Sequence, residues 1–214
     1  MKVYSNAGGI AQTNCYLVAD EKAKVAVLFD APDHTVTPLL DEAGKQGWEI
    51  IGLWLTHGHF DHMADHAVVT QRFPNAKVLV HKLDEPKIQH PNSQFPLPFK
   101  IPPRSADAYV EDGQKLSIGS LTVEVLHAPG HASGHVMYYF PAEKIIIGGD
   151  LIIMSAVGRT DLPDSSYATL QASIRRVMKL PRETTLLPGH GDPSTLADEL
   201  RTNEYVREAL GAAE

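Results

Sequence analysis

Two histidines separated by one glycine, His57-Gly58-His59, form the first candidate metal-binding motif of this sequence. Neutral imidazole offers a lone pair at neutral pH and binds zinc, iron and manganese. In an extended backbone, residues two apart point to the same side, so both rings can chelate one ion. The spacing therefore predicts one metal position at His57 and His59.

Asp61 and His62 follow this pair and add a carboxylate and a third imidazole. The chain is expected to turn into a helix here, which swings these side chains in a new direction, where they could hold a second ion nearby. A loop that is merely rich in polar residues poorly explains four possible ligands within six positions. The run from Thr56 to His62 therefore indicates a binuclear centre.

Three further candidates, His131, Asp150 and His190, each follow an apolar run of the strand type. A lone carboxylate after such a strand is costly to desolvate, which favours metal ligation or a paired role for Asp150. Glycines beside each candidate leave room for ions and substrate. Cys15 is the only cysteine of the chain, so a metal must be held by imidazole and carboxylate.

The secondary structure around these candidates determines whether their side chains come together. β-Branched and aliphatic runs predict strands, and apolar residues at helical spacing predict helices. Strands are predicted at 13–19, 24–29, 50–55, 77–80, 115–118, 121–127, 136–140, 144–147 and 184–187. Helices are predicted at 33–46, 64–73, 165–178 and 195–210, the last with a possible break. Two strand-rich sections, each followed by helix, predict an α/β (α+β) fold of two packed sheets with helices outside, in four layers.

Residues 86–104 contain six prolines, which favour extended backbone and exclude a regular helix or central strand. The segment is predicted to be a long loop. One interpretation is a surface connection. In the other, Phe95, Leu97 and Phe99 make it a flap over a substrate groove.

Composition limits the class of protein. The chain has 214 residues, 43% of them hydrophobic, and a formal net charge of -7. This length suits one domain spanning residues 1–214, and the acidic balance argues against nucleic acid as a partner. Neither a signal peptide nor a membrane span is recognisable, so a cytoplasmic protein without a membrane partner is expected.

The sequence resembles the metallo-β-lactamase-fold superfamily and, within it, short glyoxalase II-like hydrolases. The resemblance extends from about residue 14 to residue 190. It rests on Thr-His-Gly-His-Phe-Asp-His at 56–62, Pro-Gly-His-Ala-Ser-Gly-His at 129–135, Gly-Gly-Asp at 148–150 and Pro-Gly-His at 188–190. It implies a four-layer αββα sandwich, in agreement with the pattern of elements.

The resemblance also implies a ligand set for two divalent ions. The first ion is expected at His57, His59 and His131. The second is expected at Asp61, His62 and His190, and Asp150 is expected to bridge both. Zinc is the favoured metal, with iron and manganese as alternatives.

The reaction implied by the resemblance is hydrolysis of a small-molecule thioester or related acyl substrate of the S-D-lactoylglutathione type. Two ions supply hydroxide near neutral pH, and Asp61 is the predicted catalytic residue that orients or deprotonates the water. Arg159, in a Gly-Arg-Thr-Asp run, is either a receptor for a substrate carboxylate or the partner of Asp161 in a structural ion pair.

Two histidines fall outside this set. His66 stands where relatives often have glycine, one helical turn after His62, and is expected to be solvated or to support the ligands rather than bind metal. His135 is expected in the core or behind a ligand.

Two other functions remain open. Persulfide dioxygenases of the same superfamily use one iron, which would lie at His57, His131 and Asp150 here. A non-catalytic metal-binding module is the alternative from another class, and it predicts a filled coordination shell without exchangeable water.

Overall fold

Two six-stranded sheets pack face to face in the computed structural model, which describes residues 1–211. In the first sheet the strands lie in chain order, and β3, β4, β5 and β6 run parallel to one another. These strands are β1 (Lys2–Gly8), β2 (Thr13–Asp20), β3 (Val25–Phe29), β4 (Glu49–Trp54), β5 (Lys77–His81) and β6 (Ala108–Val110).

The second sheet has the order β14-β13-β10-β9-β8-β7, and its single parallel pair is β10 with β13. A separate two-stranded ribbon pairs β11 with β12. The bounds are β7 (Lys115–Ile118), β8 (Leu121–His127), β9 (Val136–Phe140), β10 (Ile145–Gly149), β11 (Ile152–Ile153), β12 (Ala156–Val157), β13 (Thr185–Pro188) and β14 (Ser194–Thr195).

Helices cover the outer faces of both sheets. They are α1 (Val36–Gln46), α2 (Phe60–Met63), α3 (His66–Arg72), α4 (Glu85–Gln89), α5 (Tyr167–Val177), α6 (Leu196–Thr202) and α7 (Glu204–Ala209). Within residues 1–211, none of these helices has the length and apolarity that crossing a membrane requires.

Three apolar cores separate four layers. One core lies between the first sheet and helices such as α1, and another lies between the second sheet and α5 to α7. The middle core joins the two sheets and includes Phe29, Trp54, Tyr138 and Phe140, whose rings pack edge to face or tilted. The αββα sandwich predicted from the sequence is confirmed.

Helix α1 shows how the sequence pattern produces one of these outer layers. Its apolar residues at helical spacing, Val36, Leu39, Leu40 and Ala43, are buried. Gly47 then ends the helix with a φ of 69°, a conformation that glycine adopts without strain. The predicted helix and its stop at this glycine are confirmed, although the helix begins at Val36 rather than at residue 33.

Gly44 is exposed within α1, and the nearest atom to a Cβ built there is Arg72 Nη2 at 3.7 Å. Gly44→Ala is expected to raise the free energy of unfolding by roughly 0.5–1 kcal/mol, because alanine restricts the unfolded chain without a clash. Urea denaturation of the metal-free protein measures this change. Gly47→Ala is the matched control and should destabilise the fold through its positive φ. A loss of stability in Gly44→Ala would contradict the account of α1.

The proline-rich segment departs from the sequence-based expectation. Pro86 lies in the first turn of helix α4, and a 3₁₀ turn follows at Pro91–Ser93. Proline fits the first turn of a helix because the N–H that it lacks has no partner inside the helix there. The prediction that prolines exclude helix was therefore wrong at Pro86, and residues 94–107 carry the irregular part.

Candidate metal centre

Strand ends deliver several of the candidate residues. The strand β4 ends shortly before His57, and the parallel neighbours β10 and β13 end shortly before Asp150 and His190. The strand β3, parallel to β4, ends just before Asp30, which was not among the candidates. The carboxyl ends of parallel strands meet at one edge of a sheet. Because the two sheets pack face to face, both edges open onto the same site.

The first group of predicted ligands is His57, His59 and His131, whose ligand atoms lie within 4.8 Å of one another. Nδ1 of His59 and Nε2 of His131 are 2.9 Å apart, and the rings of His57 and His59 have centroids 4.6 Å apart. The two histidines of the first motif thus lie on the same side, as their spacing predicted. The three rings converge on a volume that suits one cation.

The second group is Asp61, His62 and His190, again with ligand atoms within 4.8 Å. His62 Nε2 and His190 Nε2 each lie 3.5 Å from Asp61 Oδ2. Asp61 and His62 are on helix α2, which begins at Phe60. The ring of His62 lies beside that of His57, with centroids 4.0 Å apart, so the two groups of ligands adjoin each other.

Asp150 lies between the two groups. Its Oδ1 is 3.5 Å from His62 Nε2, and its Oδ2 is 3.5 Å from His131 Nε2 and 3.2 Å from His190 Nε2. A carboxylate in this place can contact an ion in either group. The structure therefore brings all seven predicted ligands together, and their assignment to particular ions stays a prediction.

The outer nitrogens of the ligand imidazoles bond to the protein. Nδ1 of His131 donates to the backbone carbonyl of Arg159 at 2.9 Å, and Nδ1 of His190 donates to that of Ala11 at 3.1 Å. Nδ1 of His62 bonds to Asp30 Oδ2 at 2.8 Å. A proton on Nδ1 leaves the Nε2 lone pair free to bind a cation, so these contacts favour the tautomer that a metal site needs.

Protonation differs between the groups. Burial, together with the neighbouring His62, lowers the pKa of His57, and burial with His131 lowers that of His59 to about 4. Burial also acts on His62, but Asp61 and Asp150 outweigh it and raise the pKa. His57 and His59 are thus neutral at pH 7, whereas a cation that binds His62 displaces a proton.

Two observations test whether these residues fit metal ions. His57 Nε2, His62 Nε2 and Asp150 Oδ1 are buried without a hydrogen-bond partner among residues 1–211. Most buried polar atoms in proteins are paired, so a convergent unpaired set of this kind fits the binding of a cation. At Gly189 a Cβ would lie 2.0 Å from Asp150 Oδ1, so any residue other than glycine would displace the Asp150 carboxylate. The donor set and its shape fit a pair of divalent ions.

Asp30 is a supporting residue that the sequence analysis missed. It is 2% exposed, accepts the backbone N–H and the hydroxyl of Thr56 at 2.8 Å each, and bonds to Nδ1 of His62. Its φ is 60°, a conformation uncommon outside glycine, which these hydrogen bonds maintain. Asp30 therefore fixes His62 and the start of the first motif together.

Asp84 is a second residue that the sequence did not reveal. It is fully buried and accepts the backbone N–H of Gly58 at 2.7 Å and that of Gly134 at 2.8 Å. Lys87 Nζ donates to the same carboxylate at 2.7 Å. Asp84 thus joins the His57-Gly58-His59 loop to the loop that carries His131.

A cleft of about 750 Å³ opens over the centre, and His59, Asp61, His131, Asp150 and His190 border it. This volume is in the range of small-molecule sites. Ser93, Gln94 and Phe95 form part of its wall, so the proline-rich segment reaches the groove, as in the flap interpretation. Leu97 and Phe99 instead pack on the first core.

Arg159 also borders the cleft, and its guanidinium makes a two-point ion pair with Asp161, with both N···O distances at 2.7 Å. The structural ion pair is therefore present. Binding of a substrate carboxylate by Arg159 stays a prediction.

The remaining histidines support the site or lie elsewhere. His135 accepts the backbone N–H of Asp150 at 2.9 Å, so it stands behind a ligand as expected. His66 is 3% exposed and bonds through Nε2 to the carbonyl of Pro102 at 2.9 Å. It anchors the proline-rich segment and is not solvated.

Residues 8–190 match the sequence profile of the Metallo-beta-lactamase superfamily. Among curated proteins, the chain is 29% identical to hydroxyacylglutathione hydrolase GloC of Haemophilus influenzae, over 91% of this chain and 93% of that one. GloC is thus a relative of similar length that bears the name of a hydroxyacylglutathione hydrolase.

Solved structures give the same family. The BLEG-1 B3 metallo-beta-lactamase is similar with a TM-score of 0.88 and 29% identity, over 96% of this chain and 99% of that one. TTHA1623 in a di-iron-bound form has a TM-score of 0.84 and 35% identity, over 94% and 99%. ETHE1 from Myxococcus xanthus has a TM-score of 0.80 and 25% identity, over 98% and 88%. With its αββα sandwich and its histidine and aspartate cluster, this chain belongs to the metallo-β-lactamase superfamily.

Proposed function

We propose that the protein is a metal-dependent hydrolase of a thioester or related small acyl substrate, with a centre for two divalent ions in a single domain of residues 1–214. The observation that carries the proposal is the pair of ligand groups, with Asp150 between them, at the floor of an open cleft. Zinc is the proposed metal, and iron is supported by the di-iron form of TTHA1623.

His57, His59 and His131 would hold one ion, Asp61, His62 and His190 the other, and Asp150 both. Ions bound there would lower the pKa of a water molecule and polarise the acyl carbonyl. Within residues 1–211, no serine or cysteine at the border of the cleft is placed to act as a nucleophile for this reaction. Cys15 is buried, and Ser93 has no partnered base.

Asp61 is the proposed catalytic carboxylate. Thr13 Oγ1 donates to its Oδ2 at 2.7 Å, which fixes the side chain at the edge of the cleft. From there it orients the attacking water and takes up its proton. The water oxygen bonds to the acyl carbon, the carbon–sulfur bond breaks, and Asp61 passes the proton to the departing sulfur. The products are a carboxylic acid and a thiol.

Thioesters are proposed because of the relatives. GloC bears the name hydroxyacylglutathione hydrolase, and hydroxyacylglutathiones are thioesters. The match spans nearly the full length of both chains, so a chain of this size accommodates the activity which that name describes.

A persulfide dioxygenase is the second candidate, and the likeness to ETHE1 favours it. That reaction needs one iron, at His57, His131 and Asp150. The second group of ligands, Asp61 and His190 with His62, would then be without a role, although its atoms are equally close.

Elemental analysis of protein purified without added metal, followed by two assays on the same sample, tests the proposal. We expect two metal ions per chain, thiol release from thioesters that include S-D-lactoylglutathione, and no oxygen uptake. A chelator should abolish the thiol release and added zinc should restore it.

One iron per chain with oxygen uptake on glutathione persulfide would overturn the proposal in favour of the dioxygenase. Metal-loaded protein that releases no thiol from any thioester would favour a non-catalytic metal-binding module.

A further inference from the structure

The basic side chains at the wall of the cleft are already paired with carboxylates. Within residues 1–211 only two of the side chains that border it, Lys87 and Arg159, are lysine or arginine. Arg159 binds Asp161 through two parallel N–H···O bonds. Asp161 thus occupies the Nε and Nη2 edge of the guanidinium, in the geometry that arginine prefers, and already balances its charge.

Lys87 is held more firmly. Its Nζ lies 2.7 Å from Asp84 Oδ1 and 2.6 Å from Asp164 Oδ2, and its side chain is 16% exposed. Burial raises the pKa of Asp164, but the hydrogen bond from Lys87 outweighs it and lowers the pKa to about 2. Asp164 is therefore an anion at the cleft wall and would repel a substrate carboxylate.

Aromatic and aliphatic side chains form much of the remaining wall. The rings of Phe60 and Phe95 stack with centroids 5.7 Å apart and an interplanar angle of 15°. Ile10, Ile153 and Leu162 also border the cleft. Phe95 is 53% exposed and Ile10 is 57% exposed, so two of the large exposed apolar side chains lie at this one opening. Clustered exposed apolar residues mark binding surfaces.

Gln94 fixes the aromatic wall to the metal-binding loop. Its amide oxygen accepts the N–H of Phe60 at 3.1 Å, and its amide nitrogen donates to the carbonyls of Gly58 and Lys87 at 3.0 Å each. Phe95 is therefore held beside the centre by the neighbouring residue. A wall positioned in advance loses little entropy when a ligand binds.

We infer that the larger group of the substrate is uncharged and apolar, such as a benzyl or branched alkyl thiol, and that Phe95 determines this specificity. The inference takes its reaction, thioester hydrolysis, from the proposed function. What it says about recognition of the substrate rests only on the residues of the cleft. A glutathione group, with its two carboxylates, would be the poorer fit.

The test compares the lactoyl thioesters of benzyl mercaptan and of glutathione as substrates of the zinc-loaded enzyme. In parallel, calorimetry measures binding of the corresponding thioethers, which cannot be hydrolysed. We expect the benzyl compound to have the higher kcat/KM and its thioether to bind more tightly. Phe95→Ala should weaken binding of the benzyl ligand by about tenfold, because it removes one apolar contact surface. Phe95→Leu should retain most of it.

Val68→Ala is the matched control, because Val68 is also an exposed apolar residue, 39% exposed, on helix α3 outside the cleft wall. It should bind both thioethers as the wild type does. Tighter binding of the glutathione ligand, or a Phe95→Ala variant that binds the benzyl ligand unchanged, would overturn the inference. A glutathione preference that disappears in Arg159→Ala would assign recognition to Arg159 instead.

The calorimetric measurement of thioether binding distinguishes a failure of this inference from a failure of the proposed function. If no thioester is hydrolysed but the benzyl thioether binds through Phe95, the proposed reaction is wrong and the apolar site stands. If both thioesters are hydrolysed with a preference for glutathione, the reaction stands and the apolar site is wrong.

Discussion

Asp150→Ala is expected to lower kcat/KM for thioester hydrolysis by roughly a thousandfold and to reduce bound metal below two ions per chain. The physical reason is position, because Asp150 is the carboxylate that lies within 3.5 Å of ligand nitrogens in both groups. Without it, the two ions would lose the ligand proposed to bridge them, and His62 and His190 would lose the anion that faces them. Steady-state kinetics and elemental analysis of the same preparation measure both effects.

Thermal unfolding adds a readout that does not depend on turnover. Zinc binds the folded chain and should raise the Tm of the wild type, and this rise should be much smaller in Asp150→Ala. Asp41→Ala is the control, because Asp41 is half exposed and pairs with Arg72 on the surface. Its metal content and activity should match the wild type. Full occupancy with unchanged turnover in Asp150→Ala would refute the bridging role.

Asp30→Asn is expected to weaken binding of the second ion by roughly 10–100-fold and to affect the first ion less. Asp30 accepts three hydrogen bonds, including the one from Nδ1 of His62. The amide group of asparagine can accept on one atom only. If its NH₂ group faces His62, the imidazole proton moves to Nε2, the nitrogen that faces Asp61 and Asp150, and its lone pair is lost to the metal.

Titration with zinc in the presence of a chelating indicator resolves the two affinities. Asp65→Asn is the matched control, because Asp65 is another buried carboxylate of the same region that accepts the N–H of Thr35 at 3.1 Å and contacts no predicted ligand side chain. It should retain both affinities within about twofold. If Asp30→Asn and Asp65→Asn bind zinc alike, Asp30 has no positioning role.

The sequence predicted the layers of the fold well because strand patterns here are unambiguous. The predicted strands 115–118, 121–127 and 136–140 coincide with β7, β8 and β9. Strand β1 was missed because Lys2–Gly8 lies at the edge of its sheet, with no fully buried residue to produce an apolar run. The break expected in the last helix is Asn203, whose side chain caps the start of α7.

The helix predicted at 64–73 is α3, which begins two residues later, at His66, and a separate short helix, α2, precedes it and ends at Met63. The intervening Asp65 directs its backbone N–H to the carbonyl of Ala31 at 2.8 Å. Such a tertiary hydrogen bond competes with the helix and leaves no local pattern in the sequence.

The sequence predicted the candidate ligands of the site more completely than the residues that support these ligands. Asp30 offered a usable signal, since it follows the apolar strand β3 as Asp150 follows β10, and the desolvation argument applies to both. Asp84 offered none, because it lies in the mixed run Lys82-Leu83-Asp84-Glu85 and only the fold brings it to Gly58 and Gly134.

A crystal structure of the zinc-loaded protein, with anomalous scattering measured at the zinc edge, tests the binuclear centre directly. Two peaks are expected. One should lie among His57, His59 and His131, the other among Asp61, His62 and His190, with the carboxylate of Asp150 in contact with both and a position on at least one ion open to the cleft. A single peak, or two ions whose coordination the protein fills completely, would contradict the proposed binuclear hydrolase.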